Sequence, residues 1–127
     1  MLKVARTDYH IHPSYSIDAS SFSIMDYCHR ALELGLKDIC FTTHIELDPA
    51  RREIDNFVRL NGEKVSVFNY SWLDKYFDDI TIAQEEFGED NLRIKTGIEV
   101  GYCPGCEKDV EKIVDNYPFD FVLGAIH

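Results

Sequence analysis

The stretch Lys3-Val-Ala-Arg-Thr-Asp-Tyr-His-Ile-His12 opens with a short apolar-led segment and ends on two histidines one residue apart. In a β-strand successive side chains point to opposite faces, so His10 and His12 would project from one face about 7 Å apart along the backbone. Two imidazoles so placed can take adjacent positions on one metal ion, and Asp8 on the same face could orient one ring. The stretch therefore predicts a strand that carries a candidate metal site.

Three further β-like runs, rich in Ile, Val and Phe, each end on a residue type that binds metals. They are Asp38-Ile-Cys-Phe-Thr-Thr-His44, Leu92-Arg-Ile-Lys-Thr-Gly-Ile-Glu99 and Phe119-Asp-Phe-Val-Leu-Gly-Ala-Ile-His127. In a parallel barrel the C-terminal ends of the strands converge on one rim, where active sites are built. We therefore expect the four strands to bring their terminal ligand-type side chains together. These side chains are His10, His12, His44, Glu99 and His127.

The order of elements is strand, helix, strand, long loop, helix, strand, helix, strand. Strands are predicted at about residues 3–9, 38–43, 92–99 and 119–126, helices at about 23–35, 69–87 and 107–116, and loops at 13–22 and 45–68. Ser23 is the expected N-cap of the first helix and Gly35 its end. Strands alternating with helices imply parallel βαβ units with right-handed crossovers. Four parallel strands do not close a barrel.

The composition is that of a single globular domain. The chain has 127 residues, of which 45% are hydrophobic, so a core can form. A net charge of −10 argues against nucleic acid as the main partner and discourages binding to anionic membranes. A small anionic substrate remains open, because bound metals reverse the local field. No stretch approaches the length of a membrane span, and the N-terminus lacks the apolar core of a signal peptide, so we expect a cytoplasmic protein.

The four cysteines fit reduced thiols better than a disulfide framework. Cys103-Pro-Gly-Cys106 precedes the third predicted helix, where a redox-active pair is usual, and a C-x-x-C can also be half of a zinc site. No second pair stands at zinc-ribbon spacing. We favour free or incidentally oxidisable thiols, and the redox interpretation stays open.

Several segments resemble the PHP (polymerase and histidinol phosphatase) superfamily of metal-dependent phosphoesterases, and most closely its histidinol-phosphatase branch. They are Asp8-Tyr-His-Ile-His12, Tyr15-Ser-Ile-Asp18, Ala31-Leu-Glu-Leu-Gly-Leu-Lys-Asp-Ile-Cys-Phe-Thr-Thr-His44, Gly97-Ile-Glu-Val-Gly-Tyr102 and Phe119-Asp-Phe-Val-Leu-Gly-Ala-Ile-His127. The resemblance implies a distorted (βα)7 TIM-like barrel with up to three metals at the strand C-termini. Residues 1–127 would be the N-terminal half of that domain, because the family has a further His and an Asp-x-His pair downstream of the position of His127.

The resemblance also implies a role for each ligand-type residue. His10 and His12 resemble ligands of the first metal, Glu99 the carboxylate that bridges the first and second, His127 a ligand of the second, and Asp18 and His44 ligands of the third. Glu99 and His127 would thereby belong to the catalytic centre. Thr43 stands where the family often has Asp, so the chain would lack an outer-shell hydrogen bond whose loss can cost about 10- to 100-fold in affinity or activity.

Imidazole and carboxylate ligands suit Zn, Mn and Fe, among which the sequence does not choose. Two or three such metals about 3.5–4 Å apart can bind phosphate oxygens, lower the pKa of a bridging water and stabilise the leaving oxygen. Arg51 and Arg52 in the long loop could neutralise the phosphate in bidentate fashion. For these two arginines a solvated charged loop is the stronger alternative, and for Asp18 an ordinary turn or capping role stays open.

The sequence therefore predicts a metal-dependent phosphatase, a hydrolase of small phosphate monoesters, with histidinol phosphate as the leading substrate. The alternative is a catalytically impaired metal-binding fragment or interaction module. The negative net charge of the chain disfavours a nuclease-like phosphodiesterase. A four-stranded sheet has an open edge and an uncovered apolar face, which invite pairing with another chain. We expect a homo-oligomer or association with the missing C-terminal half of the domain, and weak or no catalysis by residues 1–127 alone.

Overall fold

Residues 6–126, the part described by the computed structural model, form three helices, six strands and one short 3-10 helix. The elements are β1 (Thr7–Ile11), α1 (Ile24–Glu33), β2 (Asp38–Ile45), the 3-10 helix (Pro49–Arg51), β3 (Phe57–Leu60), β4 (Glu63–Ser66), α2 (Ser71–Phe87), β5 (Arg93–Gly101), α3 (Glu107–Asn116) and β6 (Phe121–Ala125). Among these helices none has the length and hydropathy needed to cross a membrane.

The main sheet contains four parallel strands in the order β1-β2-β5-β6. Its central pair, β2 and β5, is in unbroken register from Asp38 opposite Arg93 to His44 opposite Glu99. Because these strands are parallel, their C-terminal ends lie at the same edge of the sheet. The sheet curls into about half of a TIM-like barrel, which confirms the predicted α/β class and its parallel βαβ units.

Helix α1 begins where the sequence predicts, at a reciprocal capping box. The Ser23 hydroxyl accepts the backbone N–H of Asp26 at 3.1 Å, and the Asp26 carboxylate accepts the backbone N–H of Ser23 at 2.9 Å. Two of the helix's four unpaired N–H groups are satisfied in this way. Gly35 follows the helix with a φ of +76°, a conformation that glycine adopts without steric cost.

The core lies between the sheet and the helices, and α2 supplies its largest side chains. Trp72 and Tyr76 are completely buried. The Tyr76 hydroxyl donates to the carbonyl oxygen of Gly97 at 2.9 Å, joining the helix to the middle of β5. A Cβ atom at Gly97 would lie 2.8 Å from the Phe121 carbonyl oxygen and 2.9 Å from that of Phe41, so the packing of three neighbouring strands requires glycine there.

The prediction of a long loop over residues 45–68 is wrong in its second half, which forms an antiparallel hairpin of β3 and β4. Asn61 and Gly62 make the turn with φ angles of +54° and +83°. An Asn-Gly pair at positive φ is the preferred two-residue hairpin turn, because its twist matches that of the strands. The hairpin also holds the preceding polar loop, since the Arg59 side chain donates to the Ala19 carbonyl oxygen at 3.0 Å.

The cysteine interpretation also needs correction. Cys103 and Cys106 are joined as a disulfide across the turn that leads into α3. Their Cα atoms are 5.4 Å apart, a separation that a disulfide spans readily. Cys28 and Cys40 are free and fully buried, as expected for structural thiols.

Candidate metal centre

Three of the predicted ligands meet where β1 and β5 end. The Nε2 atom of His10 contacts one carboxylate oxygen of Glu99, and Nε2 of His12 lies 3.4 Å from that oxygen. One ligand atom from each of the three residues falls within 4.8 Å of the other two. The prediction that these side chains converge on one edge of the sheet agrees with this geometry.

The first strand is not regular as it reaches the site. The register of β1 against β2 shifts between Asp8 and Ile11, and the Asp8 carboxylate accepts the backbone N–H of His10 at 3.1 Å. Such irregularities commonly re-aim side chains beside functional sites. Asp8 was expected to orient a histidine ring, and instead it supports the backbone that carries the ring.

The carboxylate of Glu99 is deeply buried, with the residue 1% exposed. Burial of a carboxylate costs much free energy unless the group is paired, hydrogen-bonded or coordinates a metal. Here two imidazoles face one of its oxygens. A buried carboxylate grouped with two histidines is a donor set that transition metals bind, so these residues fit a metal ion.

A second group of donors continues from the first through His12. Its Nδ1 atom lies 3.0 Å from Oδ1 of Asp18, whose other oxygen lies 3.2 Å from Nδ1 of His44. The Ser16 hydroxyl donates to Asp18 and accepts the backbone N–H of His44 at 3.1 Å. Partial burial raises the pKa of Asp18, but the hydrogen bond from Ser16 and the nearby histidines outweigh it and lower that pKa below its ordinary value. Asp18 therefore stays a carboxylate at neutral pH.

Glu46 belongs to this group, and sequence reasoning missed it. The residue is 3% exposed, and its Oε1 lies 2.8 Å from Nε2 of His44. The signal was the spacing His44-x-Glu46, which places both side chains on one face of an extended segment. The spacing alone is a weak signal, because Glu46 follows the end of β2 in the stretch that the sequence predicts to be a loop.

Of the two arginines expected to bind substrate, Arg51 ends the 3-10 helix and Arg52 follows it. Nε of Arg51 donates to the Asp55 carboxylate at 2.8 Å. That hydrogen bond and the charge of Asp55 raise the pKa of Arg51, with a smaller contribution from Glu46. Arg52 is exposed. A substrate-binding role for either residue stays a prediction, and for Arg51 the Asp55 carboxylate would compete with a phosphate.

Two further expectations concern Thr43 and His127. The Thr43 side chain is fully buried, and its hydroxyl has no hydrogen-bond partner within residues 6–126. Since strand side chains alternate, Thr43 points away from the face that carries His44. It does not replace the outer-shell carboxylate that the family often has. His127, expected to bind the second metal, lies outside the described residues.

An open cleft of about 410 Å³ lies beside the donors. Its walls include His10, His12 and Asp18 together with Ser20 and Tyr27. The cleft gives the solvent-facing side of the site direct access to a small molecule.

The fold and the donors define a half-barrel with a candidate metal centre at the strand C-termini. A family model described as the PHP domain matches residues 8–127. The chain therefore belongs to the PHP domain family, as its motifs predicted.

Particular relatives are histidinol-phosphatases. The enzyme of Lactococcus lactis subsp. lactis is 30% identical over 122 residues, and that of Bacillus subtilis 29% identical over 112 residues. The alignments cover 96% and 88% of this chain and 39% of each relative. The chain thus spans well under half the length of the curated relatives it matches.

A solved structure agrees with the fold. The crystal structure of histidinol phosphate phosphatase from L. lactis, complexed with zinc, L-histidinol and phosphate, matches with a TM-score of 0.74 and 31% sequence identity. The match covers 96% of this chain and 40% of that one. It supports the interpretation of the sheet as part of a larger TIM-like barrel.

Proposed function

We propose that residues 1–127 form the N-terminal part of a metal-dependent phosphatase of small phosphate monoesters. The convergence of His10, His12 and Glu99 within 4.8 Å carries this proposal. Histidinol phosphate is the leading substrate, because the L. lactis relative was crystallised with zinc, L-histidinol and phosphate. The donors suit Zn, Mn or Fe, with up to three ions in a complete domain.

The chain's own residues have separate tasks in this proposal. Glu99 would offer its carboxylate to two metals, the first of them shared with His10 and His12. His127, which lies outside the described residues, is proposed as a ligand of the second metal. Asp18 and His44 would hold a further metal, and the Ser16 hydroxyl links the Asp18 carboxylate to the backbone of His44. Bound divalent metals would supply Lewis acidity toward phosphate oxygens and would activate a water for hydrolysis.

The cleft beside His12 and Asp18 is the proposed seat of the substrate's phosphate. Arg51 and Arg52 are proposed to approach it from the segment that follows β2. Arg51 would first exchange its ion pair with Asp55 for one with the phosphate. An arginine-to-phosphate pair can be bidentate, which adds orientation as well as charge neutralisation.

Binding experiments test this function without requiring turnover. The zinc-loaded chain is titrated with histidinol phosphate and with orthophosphate by calorimetry, and the titrations are repeated after removal of metal with a chelator. The expected result is phosphate binding that depends on bound metal and is lost in Glu99→Gln. Failure of the chain to bind zinc, or equal phosphate binding with and without metal, would overturn the proposal.

A second candidate is a metal-binding fragment or interaction module with impaired catalysis. The observation that favours it is the 39% share of each relative that the chain covers. In that case the chain binds metal and phosphate but hydrolyses a chromogenic monoester slowly or not at all. The partner would be a second copy or the remaining part of the domain, docked on the sheet face where Phe121 and Leu123 are only half-buried.

A further inference from the structure

We propose that Glu46 is a positioning residue that holds the imidazole of His44 in place for metal binding. We further propose that position 101 is glycine because the Glu46 carboxylate occupies the space of a side chain there. The inference rests on the proposed function, since it takes Asp18 and His44 as donors to one metal. It adds a residue that the motifs did not indicate and a reason for a glycine at the end of β5.

The two ring nitrogens of His44 face different carboxylates. Nδ1 lies 3.2 Å from Asp18, at the open side of the site, and Nε2 lies 2.8 Å from Glu46. Asp18 has a 42% exposed side chain, whereas that of Glu46 is 3% exposed. Because Nδ1 faces a carboxylate that lines the cleft and Nε2 faces a buried one, the described geometry assigns metal binding to the Asp18 side. The Glu46 carboxylate then accepts a hydrogen bond from the Nε2–H group of His44.

The backbone of Glu46 is fixed independently of its side chain. The amide of Asn56, itself 2% exposed, donates to the Glu46 carbonyl oxygen at 3.0 Å. Glu46 comes directly after β2, two residues beyond His44, so both side chains lie on one face. The backbone of Glu46 is therefore fixed by β2 on one side and by the hydrogen bond from Asn56 on the other.

Gly101 lies against the carboxylate of Glu46. A Cβ atom at this position would overlap both carboxylate oxygens and Cδ of Glu46. A flexible glutamate could ordinarily move aside at low cost. Here the side chain is buried and bonded to His44, so moving it breaks that hydrogen bond. Gly101 thus permits the contact between Glu46 and His44.

The consequence for metal binding follows from a general property of histidine ligands. A metal-bound histidine usually donates its second ring N–H to a carboxylate or carbonyl, which fixes the tautomer and the ring orientation. Loss of such an outer partner typically weakens metal binding by about 10- to 100-fold. Glu46, whose Oε1 lies 2.8 Å from Nε2 of His44, is placed to be that partner.

The first test needs no metal. In the metal-free 127-residue chain, proton–nitrogen correlation NMR should show a slowly exchanging Nε2–H proton for His44. This signal should disappear in Glu46→Ala and persist in Glu46→Gln, whose amide oxygen can still accept the hydrogen bond. It should also persist in Glu63→Gln, an exposed control on β4. An unchanged His44 signal in Glu46→Ala would overturn the inference even if the chain binds zinc as proposed.

The second test measures zinc affinity against a competing chelator. Glu46→Ala should weaken one class of site by about 10- to 100-fold, and Glu46→Gln should recover most of this loss. If Glu46 were itself a metal ligand, Glu46→Gln would be as damaging as Glu46→Ala, and the positioning role would be wrong. A wild-type chain that binds no zinc refutes the proposed function instead, and the NMR result then decides the contact between Glu46 and His44 alone.

A double-mutant cycle tests the role assigned to Gly101. Gly101→Ala should reduce zinc affinity about as much as Glu46→Ala, since the added methyl displaces the carboxylate. In the Glu46→Ala background the same change should have no further effect, because the space is then free. Gly124→Ala is the matched control, with nothing within 4 Å of the added methyl. Additive losses, or an inert Gly101→Ala, would contradict the packing argument.

Discussion

Replacement of Glu99 should damage metal binding far more than replacement of Asp18. The changes Glu99→Gln and Asp18→Asn both preserve shape and remove one negative charge. A unit charge pair at about 4 Å is worth roughly 4 kcal/mol at an effective dielectric constant of about 20, and roughly 1 kcal/mol in bulk water. The side chain of Glu99 is 2% exposed and that of Asp18 is 42% exposed, so the first figure applies to Glu99 and the second is closer for Asp18.

These energies correspond to losses of affinity of about 1000-fold for Glu99→Gln and about 5-fold for Asp18→Asn. Zinc affinity measured by competition with a chelator gives both values, and Glu63→Gln on the exposed face of β4 serves as the control. Circular dichroism checks that each variant stays folded. Equal losses in the two variants, or a larger loss in Asp18→Asn, would refute the assignment of Glu99 as the shared buried ligand.

Three further predictions concern the rest of the molecule. Tyr76→Phe should lower the free energy of unfolding by about 1–3 kcal/mol in urea titrations, since it removes a buried hydrogen bond to the carbonyl oxygen of Gly97, while the exposed control Tyr102→Phe should stay within about 0.5 kcal/mol. Burial raises the pKa of the Cys28 and Cys40 thiols to about 12, so without reductant at about pH 8 the native chain should resist alkylation and the unfolded chain should expose two thiols; rapid native labelling would contradict this. Light scattering at micromolar concentration should show self-association of residues 1–127, with turnover of a chromogenic monoester below about 1 per second; a stable monomer with ordinary turnover would exclude the half-domain interpretation.

Local signals predicted the elements that surround the site. Ser23 and Gly35 gave the ends of α1 because capping and positive φ depend on a few adjacent residues. The convergence of His44 and Glu99 was predictable because each follows a β-like run and parallel strands end at one edge. The predicted strands end about two residues before the C-terminal ends of β2 and β5. His44 and Glu99 therefore lie within the paired strands and not at their last residues.

Other features depend on contacts that sequence spacing does not show. Glu46 follows β2 and Gly101 ends β5, and only the fold brings the carboxylate against the glycine. The proximity of Cys103 and Cys106 follows from a turn with Gly105 at a φ of +89°, which composition alone does not predict. The hairpin of β3 and β4 has a local signal in the sequence, the Asn61-Gly62 pair at its turn. The charged residues around this pair instead favour a loop.

The central claim is that the ends of β1 and β5 hold a transition metal. Crystals of the chain grown with zinc, measured at the zinc absorption edge, test it most directly. The account predicts an anomalous peak about 2.0–2.2 Å from a nitrogen of His10, a nitrogen of His12 and a carboxylate oxygen of Glu99. Absence of a peak among these three side chains in zinc-loaded crystals, or zinc bound only elsewhere on the surface, would contradict it.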